Sequence, residues 1–153
     1  MDIATDALLD LPAWQAILDR EAAVFTELAP GASVAFVPRH AAGPDGVLRP
    51  SAMPSVAPLE VLAWERGADA MTAYARSYRG LAAAACDVLF FFERDALEAV
   101  LARADDGPFG EMKRRIRAGR ILLMVLRTRE ELRARGYEDF LESLGLPFMG
   151  ACR

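Results

Sequence analysis

Few side chains in this sequence are of a type that does chemistry at neutral pH, so their placement matters more than their number. The chain has one histidine and two cysteines among 153 residues. Cys152 is penultimate and follows Gly150-Ala151, which places a thiol on a C-terminal arm. It is the one candidate catalytic position, as a thiol or sulfur carrier, although carrier chemistry needs a thiolate and only Arg153 offers a neighbouring cation. Cys86 heads an apolar run, where cysteine behaves as a small buried hydrophobe. His40 lies beside Arg39 with no serine or cysteine placed against it by spacing, so no catalytic triad is assembled. These residues are too few for an obvious zinc site, and neither a metal nor a cofactor is expected.

Charge is the other resource. Residues 1–108 carry 8 Arg/Lys against 16 Asp/Glu, residues 109–135 carry 9 against 3, and residues 136–153 carry 1 against 3. The middle block includes Lys113, Arg114, Arg115, Arg117 and Arg120, a density that attracts anions even on an acidic protein. No aromatic residue interleaves there to stack on bases, which argues against nucleic acid. Ligand sites in open parallel sheets lie at the carboxyl ends of the strands. On that rule the candidate ligand-binding residues are Arg66 beside Glu65, the group Glu93, Arg94 and Asp95, and the group Arg127, Thr128 and Arg129. Thr128 with its two arginines would form an anion site at a helix start.

The elements that must position these groups follow from hydrophobic patterning. Asp10-Leu11-Pro12 opens a helix over 12–29, with Trp14, Ile17, Leu18, Phe25 and Leu28 on one face. Ser33–Val37 is a short strand. Residues 38–58 hold five of the nine prolines and the Pro44-Asp45-Gly46 turn signal, as a hairpin or an irregular loop. Leu59–Trp64 is a strand candidate. Met71, Tyr74, Tyr78, Leu81 and Ala85 recur at three and four, which predicts a helix over 67–85. Val88–Phe92 and Ile121–Leu126 are the two clearest strands. Helices are expected over 93–104, 109–118 and 137–144. Thr128-Arg129-Glu130-Glu131 matches the capping box and so starts a helix of its own.

These elements predict a single-domain α/β protein, three-layered with a mostly parallel sheet, flanking helices and an N-terminal helical extension over 1–30. The core would span 59–153, with strands 88–92 and 121–126 adjacent and parallel. An all-α fold is the alternative, because Tyr74 to Ala99 can also be threaded on one continuous helix. No apolar run approaches the ~20 residues of a membrane span. The first ten residues carry acids where a secretory signal carries bases, so the expected location is cytoplasmic.

Three stretches resemble the DsrE-like sulfur-relay family. LAWERGADAMTAYARSYRGLAAAA is similar to that family's first strand, loop and long helix. CDVLFFFERDALEAV is similar to its second strand, with Asp95 opening the next helix. RAGRILLMVLRTREELRARG is similar to its third strand and Arg-Gly ending. The sulfur-carrying members have a cysteine near the end of the third strand, and this chain has none between Cys86 and Cys152. The tail GLPFMGACR separately has the spacing of the C-terminal arm of DsrC-like sulfur carriers. The resemblance implies a cytoplasmic accessory protein that acts through a protein partner, self-association as an oligomer or a small anion at the strand ends. No catalytic motif supports an enzyme.

Overall fold

The computed structural model describes residues 10–39, 59–78, 80 and 85–146. Five strands form one sheet in the order β3-β2-β1-β4-β5. They are β1 (Ser33–Pro38), β2 (Leu59–Arg66), β3 (Met71–Tyr78), β4 (Val88–Phe92) and β5 (Ile121–Val125). The helices are α1 (Leu11–Arg20), α2 (Arg94–Ala102), α3 (Pro108–Arg117), α4 (Arg129–Ala134) and α5 (Glu138–Ser143). A short 3-10 turn at Ala22–Phe25 follows α1, so the helix expected over 12–29 breaks at Glu21. Residues 40–58 of the Pro-rich stretch, His40 among them, and Cys152 lie outside the described residues, while Pro38 ends β1. Among the described residues no helix is long and apolar enough to cross a membrane.

Strands 33–38, 88–92 and 121–125 stand where the apolar runs predict them, and the all-α alternative is excluded by them. Two expectations are corrected. Residues 71–78, expected as a helix, form β3, paired with β2 from Met71↔Arg66 to Tyr78↔Leu59. Residues 67–70 make the turn between them, with the Gly67 N–H donating to the Ala70 carbonyl. MTAYARSY also alternates, with Met71 and Ala73 buried and Thr72 exposed, and strand pairing with β2 decides in favour of that period. Residues 62–78 of the first stretch similar to the DsrE-like family are therefore a hairpin here, not strand and helix.

The second correction is direction. Strands β4 and β5 are adjacent but antiparallel, and β1·β4 is the parallel neighbour pair in a mostly antiparallel sheet. A single helix between β4 and β5 would carry the chain to the far end of the sheet. Here α2 and α3 pack against each other, out and back. The chain thus returns where it left, with Phe92 facing Ile121 and the Glu93 N–H donating to the Arg120 carbonyl.

The register places Phe36, Trp64 and Phe90 on one face. Trp14 of α1, Phe25 of the 3-10 turn, Phe109 of α3 and Phe140 of α5 pack onto them. Phe36 sits at ring-centroid distances of 4.5 Å from Trp64 and 5.0 Å from Phe90. The helices whose ring contacts fix their side thus share one face, rather than forming the outer two of three layers. On the other face Ala35, Val37, Val61, Ala63, Leu89 and Phe91 are also buried. There Arg76 reaches from β3 to the Ala85 carbonyl at 2.8 Å, so the end of the β3–β4 connection lies over this face.

Candidate functional site

Mixed strand directions divide the expected strand-end residues between two ends of the sheet. Arg66, Arg127, Thr128 and Arg129 stand at the end where β1 and β4 begin. Glu93, Arg94 and Asp95 stand at the other end, about 13 Å away along a five-residue strand. The candidate residues do not converge on one site.

At the first end the organising group is one that sequence reasoning missed. Asp87 is 1% exposed and precedes β4. Its Oδ1 accepts from Arg127 Nε at 2.8 Å. Its Oδ2 accepts from the Tyr137 hydroxyl at 2.8 Å and from the Ser33 N–H at 3.2 Å, with Arg135 Nη1 at 3.5 Å. Arg127 of the expected anion site is thus already paired with a carboxylate, which pushes the guanidinium's pKa up. Thr128 caps α4 as its sequence predicts. Its hydroxyl accepts from the Glu131 N–H, and the Glu131 carboxylate accepts from the Thr128 N–H. That backbone bond holds the Glu131 carboxyl below its ordinary range. Arg129 is exposed. At the same sheet end, Arg66 Nε and, on the helical face, Trp64 Nε1 are buried with no hydrogen-bond partner among the described residues.

Cys86 adjoins Asp87 and is buried, as expected for a small hydrophobe. Burial pushes its thiol up to about 11, with Arg76 opposing and Asp87 reinforcing the shift. Burial, then the bond to Asp87, likewise push the Tyr137 phenol far above its ordinary value. Both groups stay neutral when folded after their unfolded counterparts ionise. Their contribution is full below the unfolded pKa and is lost as pH rises through the folded one. Stability should therefore fall from about pH 9 toward pH 11, with Cys86 contributing about 2–3 kcal/mol of that loss. Urea unfolding at pH 8 and pH 11 checks this: Cys86→Ala should lose measurably less than wild type, and equal losses would refute the assignment.

At the opposite end, Glu93 bridges two arginines. Its Oε2 accepts from Arg39 Nη1 at 2.9 Å and its Oε1 from Arg120 Nη1 at 2.6 Å. Arg39 also donates to the Gly119 carbonyl. Glu93 is the N-cap of α2 without a side-chain cap bond, and Asp95 lies exposed in its first turn. The cluster carries one net positive charge at the carboxyl ends of the parallel pair β1 and β4. In the basic block, Glu111 is buried under Arg114 and Arg115, whose hydrogen bonds lower its carboxyl pKa. Among the described residues no cluster of His, Cys, Asp or Glu is placed to hold a metal ion.

At Asp87 the Tyr137 hydroxyl and the neighbouring Cys86 thiol are both buried, and beside Glu93 no nucleophile stands among the described residues. No family model, curated protein or solved structure gives a significant match to this chain. The two edges of the sheet differ sharply. At β3, Gln15 of α1 acts as a stand-in for a strand. Its amide nitrogen donates to the Met71 carbonyl at 2.9 Å, and its amide oxygen accepts from the Ala73 N–H at 2.9 Å. Two outward groups at the start of that edge, the Met71 C=O and the Ala73 N–H, are thereby satisfied.

At β5 nothing comparable is present among the described residues. The Leu126 N–H donates to the Asp87 carbonyl, and the Arg120 carbonyl accepts from Glu93. These two bonds set the parity of the ladder: the backbone groups of Leu122 and Met124 face β4, while those of Ile121, Leu123 and Val125 point away from it, with Ile121 itself covered at 1% exposure. The strand reads ILLMV, and Val125 is 46% exposed. Edge strands are ordinarily guarded by charges, proline or a bulge. This one has an unbroken register and no proline, and its bracketing arginines are turned back onto Glu93 and Asp87. The only sequence signal for it was the absence of any polar residue in 121–126, which predicts a strand buried on both faces rather than an edge.

Proposed function

We propose that this chain is a small accessory or binding protein that acts through protein contacts, with the outer edge of β5 as the contact surface. The observation that carries this reading is the wholly apolar edge at β5, exposed at its Val125 end and unbridged by any side chain among the described residues, set against an opposite edge where Gln15 bonds two backbone groups. An extended segment laid along the exposed end of β5 would pair its backbone with Leu123 and Val125 and pack side chains on both faces of the strand. A small anion has less behind it. Arg127 is paired with Asp87, and the remaining support is the net charge of the Arg39–Glu93–Arg120 cluster. The thiol-carrier alternative rests on Cys152, and kinship with the DsrE-like family rests on its second and third stretches.

A fluorescein-labelled peptide of residues 120–127, RILLMVLR, tests the edge directly. Saturable binding by polarisation is expected with wild type, and little with Val125→Lys, which puts a charge on the exposed end of the strand. A scrambled peptide of the same composition sets the background. Wild-type binding no stronger than that background would overturn the proposal.

A further inference from the structure

We infer that the occupant of this edge is an extended segment of another protein, apolar in its middle and carrying carboxylates at its ends. The inference rests on the reading of β5 as a contact edge and adds the chemistry of the partner.

The apolar middle follows from the strand. At the exposed end of β5 the backbone groups of Leu123 and Val125 point away from β4, so an added strand pairs with those two residues. Leu122, Leu123 and Met124 are partly exposed there and Val125 is 46% exposed, which puts apolar surface on both faces of the strand. Apolar residues opposed to them stabilise the pairing, whereas a charge in the same place loses water and gains no counter-ion.

The acidic ends follow from charge complementarity. The strand lies inside the block 109–135, which carries 9 Arg/Lys against 3 Asp/Glu in a chain of net charge −4. Two acids of that block are engaged within the chain: Glu111 is buried under Arg114 and Arg115, and Glu131 closes the capping box on Thr128. The arginines that bracket the strand are tethered without being saturated. Arg120 places Nη1 on Glu93, Arg127 places Nε on Asp87, and the two side chains are 50% and 41% exposed. Their remaining guanidinium nitrogens have no partner among the described residues. A guanidinium is a rigid fork of N–H donors that matches a carboxylate. Arg129 is exposed and makes no ion pair among the described residues. Two residues of a strand rise about 7 Å, so an acid two positions beyond the residue opposite Val125 stands level with Arg127, with Arg129 two positions further on. A second β5 is the wrong occupant on the same reasoning, because both of its ends are arginine.

Three fluorescein-labelled octapeptides, read by polarisation on the full chain at about 20 mM ionic strength, are the test. One is residues 120–127 with its arginine ends; the others keep the same apolar core with glutamine or glutamate at both ends. Scrambled forms set the background. Binding should tighten from arginine to glutamine to glutamate ends, by about fivefold overall, and the difference should close at about 0.5 M salt. The net charge of −4 favours the reverse order, so general attraction does not produce the expected one. Arg129→Glu puts an acid in the first turn of α4, where the helix dipole favours it, so the variant should fold and lose about half or more of the preference. Glutamate-ended binding no tighter than arginine-ended binding would overturn the inference. If the peptides still exceed their scrambled forms, the contact-edge reading then stands with a partner of different chemistry; if none of the three does, both fall. A preference that neither Arg129→Glu nor Arg120→Gln reduces would place the attraction away from the ends of β5 and equally overturn it.

Discussion

Gly136→Ala should destabilise the protein by about 3–5 kcal/mol and lower its melting temperature by about 10 °C. Gly136 ends α4 in a Schellman motif. The Gly136 N–H donates to the Arg133 carbonyl and the Tyr137 N–H to the Leu132 carbonyl. Its φ of +81° lies in the left-handed region, where a side chain adds strain. More costly is the approach of the turn at 26–30. A Cβ on Gly136 would overlap the Glu27 carbonyl, which is backbone and cannot rotate aside. The Ala29 N–H also donates to the Arg135 carbonyl at 2.9 Å, so the two segments are fastened together. Gly119 is the control: its φ is +78°, yet nothing lies within 4 Å of the position its Cβ would take. Gly119→Ala should cost about 1–2 kcal/mol, the left-handed strain alone. Chemical denaturation of both variants decides the matter. Equal losses would show that the close approach to Glu27 contributes nothing.

What the sequence disclosed and what it hid separate along a physical line. Ser33–Val37, Val88–Phe92 and Ile121–Leu126 were legible because an apolar run bounded by turn residues needs no partner to be recognised. Thr128 was legible because a capping box is a local device, complete within four residues. Residues 71–78 were not, because Met71, Tyr74 and Tyr78 fit a helical period while Met71, Ala73 and Ala75 fit a strand period. Only pairing with β2 chooses between them. Strand direction was hidden for a related reason: two helices over 93–104 and 109–118 were legible, but whether they run out and back or end to end is decided by their packing. The Asp87 cluster was invisible because its partners come from 40, 48 and 50 residues away. The one available clue was an aspartate directly before an all-apolar strand. Its carboxylate goes with that strand into the interior and must find donors there.

Asp87→Asn is expected to cost about 3 kcal/mol of stability and, separately, to weaken binding of the 120–127 peptide. The carboxylate accepts from two arginines, a phenol and a backbone N–H, all of them donors. An asparagine amide offers one oxygen, and its NH2 must face another donor. Breaking a buried pair by removing one partner costs more than the pair contributes, because the other charge is left uncompensated. Here the loss should sit at the lower end of that range, since Arg127 and Arg135 are 41% and 36% exposed and retain water. Tyr137→Phe should cost less, about 1–2 kcal/mol, because the hydroxyl is lost with its bond and no charge is stranded. A double-mutant cycle of Asp87→Asn with Arg127→Gln should show the two losses falling short of additivity; strict additivity would deny the coupling. The functional consequence runs through Arg127. Bonded to Asp87, its guanidinium is held back at the lower end of β5. Released, it becomes the kind of charge that ordinarily guards an edge strand. Asp87→Asn should therefore reduce peptide binding at temperatures where the variant is still folded, and Asp87→Asn with Arg127→Gln should restore it. Restoration without recovery of stability would separate the two roles of Asp87: a counter-ion that keeps the β5 edge open, and a hydrogen-bond acceptor that ties Ser33 and Tyr137 into the core.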